Sequence, residues 1–258
     1  MPDKEGIFIS GVCVRGARHI QADEPCQDAW QSEDLTDGSI VVVVADGLSS
    51  APHAQEGAMI VVSEVCRTFM SADPARFSGL EDLIRFSAEK ARQEVLTAAT
   101  KARVHPSSFA STLIITHYNG KTLTVGHIGD GLVAGTHADL SFIISPPGQS
   151  EYANETACLT QADWETQFRV VRCPHADACI ITTDGCQGAV SIKKGTEYKP
   201  YEPFVTPLIT FTRKKRESGE DPSSDIKKLL ISPRMQDLSG DDKTLIILLG
   251  SGRMPGKK

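Results

Sequence analysis

In three places an aspartate followed by glycine closes an apolar run. Asp46 ends Val41-Val42-Val43-Val44-Ala45 and precedes Gly47, Asp130 follows Val125 to Gly129 and precedes Gly131, and Asp184 follows Ile180-Ile181-Thr182-Thr183 and precedes Gly185. Two further acidic positions have the opposite polarity: Asp241-Asp242 come before the run Thr244 to Leu249, and Asp28 comes before Ala29-Trp30. A strand leaving a rim and an antiparallel neighbour entering at it set such residues side by side, so these carboxylates are expected to converge at one sheet edge. Carboxylates that close repel one another unless a cation lies between them. An all-oxygen set suits a hard divalent ion, Mg or Mn, better than Zn. A single Asp-Gly is ordinary turn chemistry. Three of them at apolar strand ends, joined by Asp241-Asp242, point instead to a metal centre, with each glycine letting the backbone turn sharply beside a ligand.

The elements that would carry these residues are legible from periodicity. Gly6 to Val14 and the β-branched run Ile40 to Val44 read as strands. Apolar residues at helical spacing over His53 to Met70 and Leu80 to Val104 predict two helices, with Ala72-Asp73-Pro74 as the break between them. Thr112 to His117, Thr122 to Ile128, Leu132 to Gly135 and Leu140 to Ile144 follow with period two, the first two joined by Asn119-Gly120, and are expected to form one antiparallel meander. A further strand pair is expected at Phe168 to Arg172 and Ala178 to Thr183, helices at Tyr201 to Thr212 and Ser224 to Ile231, and a last strand at Thr244 to Leu249. Residues 213–223 are polar and read as a mobile surface loop, and residues 251–258 as a frayed tail. Helices covering the faces of an antiparallel sheet make the class α+β, possible in four layers, with residues 1–258 as one domain.

Composition narrows the function classes. The chain has 258 residues and carries 27 Lys and Arg against 33 Asp and Glu, a net charge of −6 that opposes binding to a phosphate backbone, so no nucleic-acid partner is expected. The longest apolar run, Ile40 to Ala45, is far short of the roughly 18 residues of a membrane span, so no membrane partner is expected either. The seven cysteines are scattered, odd in number and set mostly among apolar neighbours, as reduced thiols in a cytoplasmic protein would be. Cys173, His175, Cys179 and Cys186 lack the Cys-x-x-Cys spacing of a zinc site, Gly120-Lys121-Thr122 lacks the first glycine of a phosphate loop, and no Gly-x-Ser-x-Gly seats a nucleophilic serine.

The ordered set Cys26-Gln27-Asp28-Ala29, Val44-Ala45-Asp46-Gly47, Gly57-Ala58, Ser111-Thr112-Leu113, Gly129-Asp130-Gly131, Thr183-Asp184-Gly185 and Asp241-Asp242-Lys243-Thr244 resembles the metal-dependent protein Ser/Thr phosphatases of type 2C. The Cys-Gln-Asp start and the segment Glu151-Tyr152-Ala153-Asn154-Glu155-Thr156 are most similar to the divergent bacterial branch of that family. The resemblance spans about Gly11 to Leu249. It implies an αββα sandwich of two antiparallel sheets flanked by helix pairs, with two Mg or Mn ions at one end and a weaker third. Carried over by residue, it implies that Asp46 bridges the two ions, that the Gly47 carbonyl binds the second, that Asp184 and Asp241 hold the first, that Asp28 acts directly or through a water, and that Asp130 serves the third. A hydroxide between the ions would attack phosphorus without a covalent phosphoenzyme. The implied partner is a phosphoprotein, a Ser/Thr kinase or its target.

Against the family pattern, Gln27 replaces a Glu, Asp23 stands at the usual phosphate-gripping Arg, Leu48-Ser49-Ser50 replace His-Gly-Gly, and Gly131 replaces a Ser. Arg18 and His19 are the candidates to contact phosphate in place of that Arg, since a guanidinium grips two oxygens at once. These departures leave open a phosphatase-like binding module that turns over poorly. A two-metal nuclease or a small-molecule phosphohydrolase is disfavoured for nucleic acid by the acidic charge.

Overall fold

The computed structural model describes residues 6–138, 140–148 and 156–250. The tail at residues 251–258 and residues 149–155, which hold most of the segment ending at Thr156, lie outside the described residues. In chain order the elements are β1 (Phe8–Val14), α1 (Ala17–Ala22), β2 (Asp28–Asp34), β3 (Ile40–Asp46), α2 (Ala54–Ser71), α3 (Leu80–Ala102), β4 (Leu113–Tyr118), β5 (Leu123–Ile128), β6 (Leu132–His137), β7 (Leu140–Ser145), α4 (Trp164–Gln167), β8 (Arg169–Cys173), β9 (Ala178–Thr182), α5 (Gln187–Val190), β10 (Ser191–Lys194), β11 (Glu197–Pro200), α6 (Glu202–Ser218), α7 (Ser223–Leu230), α8 (Pro233–Leu238) and β12 (Lys243–Leu249). Two five-stranded antiparallel sheets run in the orders β2-β3-β4-β5-β8 and β1-β12-β9-β6-β7, and β10 with β11 forms a separate hairpin.

The period of two along each strand builds the layers. In β3, Val41, Val43 and Ala45 pack with Val61, Val65, Ile84 and Val95 of α2 and α3. The alternate residues Ile40, Val42 and Val44 face Val133, Ile181, Ile246 and Leu248 of the other sheet. β12 repeats the division, sending Leu245, Ile247 and Leu249 against Val205, Leu208, Ile226 and Leu230 of α6 and α7. The result is the expected αββα stack, in which every layer hides an apolar face from water.

Three expectations are corrected. The run from Thr112 to Ile144 is not one meander: β4 and β5 pair in one sheet, β6 and β7 in the other, and Gly129-Asp130-Gly131 carries the chain between them. Gly129, at φ +113°, takes the left-handed backbone that such a crossing demands. β8 and β9 do not pair with each other either; β8 joins β5, and β9 joins β12 and β6. Residues 213–218 are not a mobile loop but the last turns of α6, which ends at Gly219, φ +73°. Its charges are held: Arg216 donates to the carbonyls of Gly6 and Gly250 at 2.6 and 2.8 Å, and the Lys215 ammonium lies 3.3 Å from Asp225. The polar edge strand β2 and the short elements α1, α8, β10 and β11 carry too little apolar period to be seen in the sequence.

Candidate active site

Both sheets deliver acidic residues to one rim. Asp28, the first residue of β2, stands directly opposite Asp46, the last residue of β3, in the antiparallel register. Asp184 opens the turn after β9, Asp241 precedes β12, and Asp130 sits in the crossing between the sheets. The backbone beside them is tightly packed. A Cβ at Gly47 would lie 2.4 Å from the Ala54 carbonyl oxygen, and one at Gly185 only 1.9 Å from that of Asp242, so both Asp-Gly pairs need their glycine for close approach. The Asp46 backbone N–H donates to Thr112 Oγ1 at 3.0 Å while its carbonyl accepts from Thr112 N–H at 2.8 Å, which pins the end of β3.

The electrostatics show how close the carboxyls are. Burial pushes the Asp46 carboxyl well above the usual range, and Asp28, Asp184, Asp130 and Asp241 each push it further. Asp184 rises to about 6, first from burial and then from Asp130 and Asp241, although it shares a hydrogen bond with Asp46 that pulls the other way. Asp28 is raised by burial first and Cys13 second, against the opposing hydroxyls of Thr244 and Thr183. Both hydroxyls donate to Asp28 Oδ2 at 2.8 Å, whereas Oδ1 is buried with no hydrogen-bond partner among the described residues. Gln27 Oε1 and Asp130 Oδ1 are buried and unpartnered in the same way, while Asp130 Oδ2 accepts from Thr156 at 2.8 Å. Buried oxygens without donors among mutually repelling carboxyls fit a hard cation.

A second acidic group lies immediately behind this rim and is arranged oppositely. Asp242 is buried and accepts from the Gly16 and Gln27 backbone N–H groups at 2.6 Å each, and His19 Nδ1 lies 2.8 Å from it. His19 is therefore turned into the protein. Although His19, Asp241 and Asp242 each bring one ligand atom within 4.8 Å of the others, the Asp242 oxygens already have donors. Arg18, on the same short helix, points outward: its side chain is 74% exposed, with Nη1 4.0 Å from Asp241. Lys243 supplies a buried cation here, its ammonium donating to the Ser239 and Asp241 carbonyls at 2.7 and 2.8 Å.

Thus Asp28, Asp46, Gly47, Asp130, Asp184 and Asp241 meet at one rim, Arg18 stands at its edge and His19 behind it. Sequence reasoning missed the supporting cast: Asp242 as a clasp, Thr183 and Thr244 on Asp28, Thr112 on Asp46, and Lys243. The signal was available for Thr183 and Thr244, which neighbour Asp184 and Asp241-Asp242 in the chain, but not for Thr112.

The chain matches the family model described as protein phosphatase 2C over residues 15–230. It is 29% identical over 245 residues to serine/threonine-protein phosphatase 3 of Escherichia coli (strain K12), covering 91% of this chain and 94% of that protein. Among solved structures it is similar in fold to serine/threonine phosphatase Stp1 from Staphylococcus aureus, at TM-score 0.63 and 12% identity, covering 98% of each chain. The catalytic domain of the serine threonine protein phosphatase PstP, solved in complex with two manganese ions, has TM-score 0.64 at 12% identity, covering 94% of this chain and 97% of that one. No helix among the described residues is long and apolar enough to cross a membrane.

Proposed function

The chain belongs to the protein phosphatase 2C family, and from that membership we propose which of its residues carry out metal-dependent hydrolysis of phosphoserine and phosphothreonine in proteins. The observation that carries the assignment is the crowding of Asp28, Asp46, Asp130, Asp184 and Asp241 at one rim, where burial and the neighbouring acids raise the carboxyls of Asp46 and Asp184. Asp46, with the Gly47 carbonyl, Asp184 and Asp241, would hold a pair of Mg or Mn ions. Asp130 would serve a third, weaker ion. Bound there, divalent ions supply a water acidic enough to be a nucleophile at neutral pH and neutralise charge on the phosphoryl oxygens.

The remaining work belongs to the chain itself. Thr183 and Thr244 hold one oxygen of Asp28, so the other is aimed and free to orient a water or an ion. Gln27 offers a neutral buried oxygen where the family pattern has an anionic one, which keeps a ligand atom at lower charge. Arg18 is exposed at the edge and is assigned to grip substrate phosphate. His19 is assigned to hold Asp242, and so contributes to phosphate binding only by fixing the helix that presents Arg18. The substrate phosphoprotein is taken to be a Ser/Thr kinase or its target.

The test is phosphate release from a phosphothreonine peptide with Mn, comparing the natural chain with Asp184→Asn. Removing one anionic ligand should lower the rate by at least about 100-fold, the equivalent of roughly 2.7 kcal/mol in the barrier. An equally active variant, or tight peptide binding with no release by the natural chain, would overturn the assignment.

A further inference from the structure

Cys13 and Cys26 take no part in the chemistry above, yet their sulfurs lie 3.4 Å apart. They come from separate parts of the fold. Cys13 is held in the ladder of β1, opposite Thr244 of β12, whereas Cys26 belongs to the irregular segment just before β2. Both are half-buried and so within reach of a small solute, while Cys66, Cys158, Cys179 and Cys186 are buried. Cys173, also half-buried, directs its sulfur to the His175 carbonyl oxygen at 3.3 Å. Cys13 and Cys26 also bracket one functional group, their sulfurs standing 3.8 and 3.9 Å from the Asp28 carbonyl oxygen.

We propose that Cys13 and Cys26 are a redox modification site: hydrogen peroxide converts them to a reversible disulfide, and closing that bond lowers phosphatase turnover. One thiol sulfur attacks a peroxide oxygen, breaking the O–O bond to give a sulfenic acid and one molecule of water. The second thiol attacks the sulfenic sulfur, forming the S–S bond and releasing a second water. Two electrons pass from the thiols to the peroxide, and both thiol protons end in water. The effect on turnover rests on the phosphatase reading and follows from where the chain can yield. A disulfide holds its sulfurs at about 2.05 Å, so the pair must close by more than about 1 Å. Cys13 is locked by its ladder, so Cys26 moves, and the next two residues are Gln27 and Asp28. A displacement of about 1 Å in a positioned group costs up to roughly 100-fold in rate.

The experiment uses the full chain, reduced, freed of reductant, treated with hydrogen peroxide and quenched with catalase. Peptide mapping without reduction should show Cys13 linked to Cys26. Mn-dependent phosphate release should fall by about 10-fold or more and return on adding dithiothreitol. Cys26→Ser and Cys13→Ser should keep the untreated rate and resist peroxide. Absence of the linked peptide, a linked protein with its full rate, or Cys26→Ser inhibited as strongly as the natural chain would each overturn the proposal. If no form of the chain released phosphate, the phosphatase reading would fail on its own, since the linkage is read by mass.

Discussion

Asp241 and Asp242 are neighbours in the chain and sit in opposite electrostatic worlds. Asp242 is buried with two donors on it, the Gly16 and Gln27 amides, and the His19 ring 2.8 Å away. Asp241 joins Asp28, Asp46, Asp130 and Asp184 at a rim where, among the described residues, one oxygen each of Asp28 and Asp130 has no donor and the neighbouring acids raise Asp46 and Asp184. A carboxylate given its hydrogen bonds by the fold holds the fold together. Carboxylates denied them work against the fold until something positively charged arrives, and that deficit is what makes the rim a candidate for chemistry.

The largest effect is expected behind the rim. Asp242→Ala would orphan two buried backbone donors and remove the carboxylate beside His19, so unfolding in urea with chelator present should show a loss of about 3 kcal/mol or more. A variant that stayed fully stable and lost only its response to Mn would break the contrast by making Asp242 a ligand.

A smaller effect of opposite sign is expected at the rim. Asp184 is raised in the folded chain, so the folded state binds more protons than the unfolded state from about pH 4 to about 6, and stability falls as pH rises through that window. Asp28 and Asp46, also raised, extend the loss upward. His127, buried between the sheets and held well below its usual range by burial and by Arg169, acts the other way, losing stability as pH falls below about 6.5. The clean readout is therefore a difference between two proteins. In chelator, Asp184→Asn should be more stable than the natural chain at pH 7.5 by on the order of 2 kcal/mol, the gap closing towards pH 4. A gap that stayed constant with pH would place Asp184 outside the repelling set.

The smallest effect tests the edge. Arg18 is exposed and its contact with Asp241 is long, so Arg18→Ala should change stability by less than about 1 kcal/mol. If Arg18 grips phosphate, KM for a phosphopeptide should rise several-fold while the unfolding curve hardly moves. An unchanged KM would remove Arg18 from the site.

Much of this was legible in the chain. The strands β3, β9 and β12 are nearly continuous apolar runs, because strands covered on both faces leave few positions for polar residues. The aspartates that end them were visible for the same reason. β2 was missed because it is a polar edge strand, Asp-Ala-Trp-Gln-Ser-Glu-Asp, with little burial beyond its first residue. The final turns of α6 were missed because a run of charges reads as solvated, whereas Arg216 is spent on two distant carbonyls. The pairing of the middle strands was invisible because the same alternating pattern serves a hairpin in either sheet.

By itself the sequence determined the residue types at the rim, the layers that carry them and the family pattern, since all three depend on local order and periodicity. Which of two adjacent aspartates faces its fellow acids and which is clasped, which of Arg18 and His19 looks outward, and that Cys13 meets Cys26 were decided only by tertiary structure. Those outcomes depend on which donors distant segments bring within about 3 Å, the reach of a hydrogen bond, and no spacing along the chain encodes that distance.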